Sequence, residues 1–181
     1  MKIIQFTLIS FCISISVLSF AQNGVLKNSN EKPVVAEKEY KAHAEGWMVD
    51  INKAYEVSKK TGKPIMANFT GSDWCGWCKE LKLEVFDKPE FKKWADENVV
   101  LVELDFPRRF QLPENIKQQN YGLAQAFKVT GYPTIWVFNL GKDDKGQYTI
   151  SALGKTGYVK GVPAFTKGVD DMIKKAAEQK N

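Results

Sequence analysis

Lys63 to Lys79 reads K-P-I-M-A-N-F-T-G-S-D-W-C-G-W-C-K. Pro64 to Phe69 is apolar apart from Asn68, as a central strand covered on both faces would be. Thr70 to Asp73 carries turn chemistry. W-C-G-W-C then begins at Trp74, and Leu81, Val85 and Phe86 follow as the apolar positions of a helix over about Cys75–Val85. Two cysteines separated by two residues, just after a strand and at a helix start, form a redox arrangement with a mechanical reason. The first sulfur meets the unpaired backbone N–H groups and dipole of the first turn, which favour the thiolate. The second lies one turn on, close enough to attack a mixed disulfide formed by the first.

A second motif stands far downstream, G-Y-P-T at Gly131 to Thr134. Strand, W-C-x-x-C-K, helix and a later G-Y-P-T resemble the thioredoxin superfamily, and F-T-G-S-D-W-C-x-W-C is similar to its exported thioredoxin-like members. The resemblance spans about residues 47–178. It implies an α/β protein with the thioredoxin fold, a central mixed sheet flanked by helices, here with an extra N-terminal helix. It also implies roles. Cys75 is the exposed nucleophile and Cys78 the resolving thiol. Pro133 follows a cis bond beside the cysteine pair, and Tyr132 offers its backbone to an extended substrate peptide, a sequence-tolerant mode of recognition. Trp74, Trp77, Tyr132 and Pro133 are thus the expected substrate-binding residues, with Trp74 mostly packing. Trp77 replaces the proline of ordinary thioredoxins. Lys79 either favours the thiolate by its charge or is a solvated helix lysine.

The sequence departs from ordinary thioredoxins in two places. Asn68 stands where they carry a buried aspartate that helps move the proton of the second cysteine, and Leu101 replaces that aspartate's lysine partner. An amide cannot act as a base. Deprotonation of Cys78 then falls to Asp73, to Glu103 or to water, with Glu103 otherwise a strand-edge charge.

The rest of the chain sets the context. The 181 residues suit one domain plus a leader. A formal charge of +5 without a basic-aromatic repeat argues against nucleic acid. Residues 1–21 read as a secretory signal: Lys2, an apolar run from Ile3 to Phe20, and Ser19-Phe20-Ala21 at the cleavage site. The rival is an uncleaved anchor. Cys12 lies in this leader, so the mature chain keeps Cys75 and Cys78 alone and has no structural disulfide framework. The expected compartment is the periplasm of a bacterium. Residues 22–46 are polar and predict a flexible tether, with His43, the one histidine, as an exposed boundary residue. Two thiolates can hold Cu(I) or half a zinc site, but no second C-x-x-C exists and His43 is far off in sequence, so no metal or other cofactor is expected.

The domain is expected over 47–181. Trp47–Lys60 predicts a helix, starting later if Asp50 caps it, and ending at Gly62. Asp87 to Glu90 opens a second short helix, and Val99–Phe106 is a strand that is apolar but for Glu103 and Asp105. Pro107–Asn120 reads as an insertion or long loop. Tyr121–Val129 is helical, Thr134–Phe138 and Gln147–Leu153 form a hairpin, and Val162–Glu178 closes the domain as an amphipathic helix. The function expected is an exported thiol–disulfide oxidoreductase acting on protein disulfides, with the reductase or interchange direction favoured over oxidation because the fold holds no large helical insertion. Its partners would be disulfide-bearing client proteins and a membrane thiol–disulfide electron donor, with the chain itself a monomer. The alternatives are a redox-inactive or metal-carrying binding module that holds a client through Trp77 and Tyr132, and a disulfide isomerase, for which no dimerisation feature argues.

Overall fold

The computed structural model describes residues 40–179. The leader 1–21 and tether residues 22–39 lie outside them. Helix α1 (Ile51–Thr61) starts late, because the Asp50 carboxylate caps it by accepting from Asn52 N at 2.8 Å. Gly62 closes it in the left-handed conformation. Strand β1 (Ile65–Thr70) runs through the centre of the molecule. Helix α2 (Gly76–Leu81) passes directly into a π-helical stretch, Lys82–Phe86. Helix α3 (Pro89–Asn98) and strand β2 (Val100–Asp105) follow. Helix α4 covers Glu114–Ala126, strands β3 (Thr134–Lys142) and β4 (Tyr148–Thr156) form the hairpin, and α5 is Val162–Glu178.

The strand order is β2-β1-β3-β4, with β1 and β2 parallel and the other pairs antiparallel. Alternation along the strands sorts the core into two layers. Ile65, Ala67, Phe69, Val100, Val102 and Leu104 pack with Ile51 and Ala54 of α1 and with Phe127. Met66, Ile135 and Val137 pack on the other face with Leu81, Val85, Phe86, Phe91 and Phe165. Phe86 anchors the end of the cysteine helix there, with its ring 4.8 Å from Trp47 and 5.5 Å, edge-on, from Phe165.

Three segments differ from the sequence expectation. Trp47–Asp50 is not helical. Met48 instead bridges to Val102, donating to Leu101 O at 3.0 Å and accepting from Glu103 N at 2.8 Å, so this segment covers the outer edge of β2. Residues 40–46, expected as the end of a tether, lie against the domain, with Ala44 buried. The segment 107–120 is a short loop followed by the first half of α4. Gln119 and Asn120 are interior connectors: Gln119 donates to Val49 O and accepts from Ile51 N, and the fully buried Asn120 donates to Asp105 O at 2.9 Å. Among the described residues no helix is long and apolar enough to cross a membrane.

Candidate active site

Cys75 is the N-cap of α2, and Cys78 is the third residue of that helix. The two are joined by a disulfide, with Cα atoms 5.3 Å apart. Cys75 Sγ accepts a hydrogen bond from Cys78 N at 3.2 Å, the place an N-cap oxygen usually fills. The same N–H would stabilise a Cys75 thiolate once the disulfide opens. Exposure does not separate the two sulfurs, as the resemblance implied it would: Cys75 is 6% and Cys78 5% exposed in the bonded pair. Their surroundings do separate them, because Cys78, and not Cys75, lines a cavity described below.

The aromatic residues form the outer face of the site. Trp74 is held on three sides. Its Nε1–H donates to Phe106 O at 2.8 Å, the Arg108 guanidinium stacks 3.7 Å above the ring, and Tyr132 meets it edge-on at 5.8 Å. Tyr132 also tilts onto Phe106 at 5.2 Å, and burial pushes its phenol up. The Tyr132–Pro133 bond is cis. Trp77, by contrast, is 63% exposed and touches Tyr158 at 5.0 Å between ring centres. The Tyr158 hydroxyl in turn donates to Glu84. A ring held on three sides and a largely exposed ring thus flank the disulfide.

Asp73 has a structural employment. Its carboxylate accepts from Arg108 N and from Arg109 N, the latter at 2.6 Å, and so closes the loop after β2. Desolvation opposes its ionisation, but those two backbone donors prevail and hold the carboxyl below its usual range. Lys79 Nζ donates to the Asp73 carbonyl at 3.2 Å.

Glu103 is buried, at 3% exposure, and is no strand-edge charge. It is in register with Asn68 across the parallel β1–β2 pair, and Thr70 is in register with Asp105. Glu103, Asn68, Thr70, Cys78, His43 and Lys82 line a cavity of about 220 Å³. Asn68 Oδ1 lacks a hydrogen-bond partner among the described residues. His43 joins the cavity lining from the N-terminal segment. Its backbone N donates to Glu103 Oε1 at 2.9 Å, and its Nδ1 lies 3.0 Å from the same oxygen. His43 is therefore a partnered residue and not a free boundary one, although 38% of its side chain stays exposed. The hydrogen bond to Glu103 raises its pKa above the ordinary 6.5 against the opposing effect of burial, and the charges of Glu103, Asp105 and Asp73 add to the rise. Asp105 accepts from Ser72 N at 2.8 Å and Ser72 Oγ at 2.7 Å. Burial pushes its carboxyl up in spite of these bonds.

A cysteine pair at a helix cap, a cis Tyr132–Pro133 bond and a β2-β1-β3-β4 sheet have a match among known families. Residues 51–159 match the family model of the thioredoxin-like domain. The chain belongs to the thioredoxin-like family. Among its relatives, this thioredoxin-like chain is 42% identical over 83 residues to the disulfide bond reductase DsbH of Chlamydia pneumoniae, a match covering 46% of this chain and 50% of that protein. It is 33% identical over 108 residues to the thioredoxin-related protein DsbJ of the same organism, covering 60% of this chain and 30% of the other. It spans no more than half the length of these curated relatives. A solved structure titled DsbH oxidoreductase superposes with a TM-score of 0.60 at 31% identity, covering 77% of this chain and 92% of that one.

Four residues of the thioredoxin-like site escaped sequence reasoning: His43 as a partner, Asp105, Ser72 and Arg108. Glu103 and Asp105 carried a usable signal. Two carboxylates at i and i+2 in an otherwise apolar strand share one face, here the one beneath the cysteine helix.

Proposed function

We propose that this chain is an exported thiol–disulfide oxidoreductase that reduces disulfides in client proteins, with Cys75 as nucleophile and Cys78 as resolving thiol. The observation that carries the reading is the Cys75–Cys78 disulfide at the helix cap, flanked by the exposed Trp77 and by Trp74, whose ring meets Tyr132 of the cis Tyr132–Pro133 bond. In the reduced pair the Cys75 thiolate attacks a client disulfide. A Cys75–client bond forms, and one client sulfur leaves as a thiolate. Cys78 loses its proton and attacks Cys75 Sγ. The Cys75–Cys78 bond forms, the second client sulfur leaves, and both client sulfurs take up protons. Two electrons pass from the dithiol to the client, and a membrane thiol–disulfide donor restores the dithiol.

Glu103 is the group that takes the Cys78 proton across the cavity, because Asp73 is committed to backbone donors and Asn68 is no base. The exposed Trp77 and the Tyr132 backbone hold the client. The reductase direction draws support from the likeness to a relative named disulfide bond reductase. The apolar leader supports export, and the periplasm is the compartment proposed. The chain acts as a monomer.

The test is the equilibrium of the Cys75–Cys78 pair against a glutathione buffer, read by tryptophan fluorescence. A potential near about −270 mV supports a reductase, and one near about −120 mV overturns that direction in favour of disulfide donation. Absence of a reversible two-electron transition overturns the enzyme and leaves a client-binding module.

A further inference from the structure

We propose that His43, supplied by the segment ahead of the family domain, is a positioning residue for the resolving half-reaction: it fixes Glu103 in the cavity behind Cys78 so that the carboxylate can take the Cys78 proton. The inference rests on the oxidoreductase reading above and adds to it a residue outside the matched span of 51–159.

Three observations converge. First, His43 grips Glu103 twice, through backbone N at 2.9 Å and ring Nδ1 at 3.0 Å, and both contacts fall on Oε1. A glutamate side chain has three rotatable bonds, and two donors on one oxygen remove most of that freedom. Second, the segment bearing His43 is itself fixed. Met48 is bonded to β2 on both sides of Val102, Ala44 is buried against the core, and the ring lies 5.8 Å from that of Phe110. Third, the cavity is roomy and its mixed lining includes the polar side chains of Asn68, Thr70, His43 and Glu103. At about 220 Å³ it accommodates water, and Asn68, which lines it, has a buried Oδ1 without a hydrogen-bond partner among the described residues. Water there would connect Asn68, Glu103 and Cys78 by hydrogen bonds.

In the mixed disulfide, Cys78–SH gives its proton through water to the Glu103 carboxylate. The Cys78 thiolate then attacks Cys75 Sγ, the Cys75–partner bond breaks, and the partner leaves as a thiolate. Glu103 afterwards returns the proton to solvent. His43 touches none of the reacting atoms; it acts through Glu103.

The test uses the full chain with Cys12→Ser, reduced and mixed with Ellman's reagent in a stopped-flow instrument. Attack by Cys75 releases one thionitrobenzoate, and resolution by Cys78 releases a second. His43→Ala should slow the second release by about ten- to a hundred-fold, up to the lower end of what a positioned base contributes, and leave the first within about two-fold. His43→Asn, which keeps a side-chain N–H donor close to the Nδ1 place, should recover most of the loss. In a Glu103→Gln background His43→Ala should have no further effect, since a residue acting through Glu103 has nothing left to position. The inference is overturned if His43→Ala slows both releases equally, if Asn fails to rescue, or if the His43 and Glu103 effects simply add. A Cys12→Ser parent with a first release and no second would overturn the oxidoreductase reading as well. A normal two-phase Cys12→Ser parent with a silent His43→Ala would overturn this inference alone.

Discussion

Gly71→Ala is expected to destabilise the oxidised protein by about 2 kcal/mol, and to do so through a single ring. Gly71 has no left-handed backbone angle, so alanine is allowed there by conformation. The obstacle is space. A Cβ on Gly71 would lie 2.4 Å from Trp74 Cε2, 2.6 Å from Nε1 and 2.7 Å from Cζ2. Ordinary van der Waals contact begins near 3.4 Å, so the indole must retreat by roughly 1 Å. It cannot do so freely. Retreat stretches the 2.8 Å bond from Nε1–H to Phe106 O and disturbs the stack under Arg108 at 3.7 Å. Overpacking of this kind costs about 1–3 kcal/mol, and a lost hydrogen bond about 0.5–1.5 kcal/mol.

The assay is urea unfolding of four proteins: wild type, Gly71→Ala, Trp74→Ala and the double variant. Because the three nearest atoms to the new methyl all belong to Trp74, Gly71→Ala should cost less than about 0.5 kcal/mol once that ring is gone, giving a coupling of about 1.5 kcal/mol or more. If the cost of Gly71→Ala is the same in both backgrounds, Trp74 is not the obstacle, and the view of this indole as a fixed wall of the site is wrong.

Three further outcomes are expected. His43 has a raised folded pKa, so its contribution to stability is full below the ordinary 6.5 and is lost as pH rises through the raised value; the stability difference between wild type and His43→Ala should therefore be larger at about pH 6 than at about pH 9, by urea unfolding. Asn120→Ala should lower the urea midpoint, at unchanged slope, by an amount equivalent to about 2–3 kcal/mol, since it strands the Asp105 carbonyl and opens a small void in a fully buried place. Asp73→Ala should raise hydrogen exchange at the Arg108 and Arg109 amides, which donate to the Asp73 carboxylate, while the β1 amides keep their protection; equal rates in both proteins would mean that the loop is held by something else.

Most of the fold was legible because its elements announce themselves locally. The strand over Ile65–Thr70, the helix over Val162–Glu178 and the hairpin each carry their own period and stop signals. The segment 107–120 resisted for a physical reason. The turn from Glu114 to Asn120 buries Asn120 and half-buries Gln119, and these hold α1 and β2 by hydrogen bonds, so the apolar stripe that marks a helix is partly written in amides. Trp47–Asp50 resisted differently. Its apolar residues fit a helix, and its pairing with Val102, more than 50 positions away, leaves no local mark. The site shows the same division. Cys75, Cys78, Trp77 and Pro133 lie in motifs, whereas the His43–Glu103 contact spans 60 positions and joins two residues that look ordinary alone.

On the role proposed for Glu103, the acid stands on β2 and not on β1, and that is what puts it within reach of a histidine from outside the sheet. In the ordinary members that this sequence resembles, the buried acid stands at the Asn68 place on β1. That strand is paired on both sides, by β2 and β3, so a chain segment cannot approach it along an edge. Glu103 is in register with Asn68 but belongs to β2, whose outer edge is open to the Met48 bridge. A segment bonded to that edge can carry His43 to the carboxylate, and Asn68 and Glu103, in register, form a polar pair on one ladder step. The consequence is a dependence that the sheet alone does not have. A chain cut at Trp47 would keep both cysteines and every strand of the sheet, yet the group proposed to receive the Cys78 proton would lose both donors that hold it.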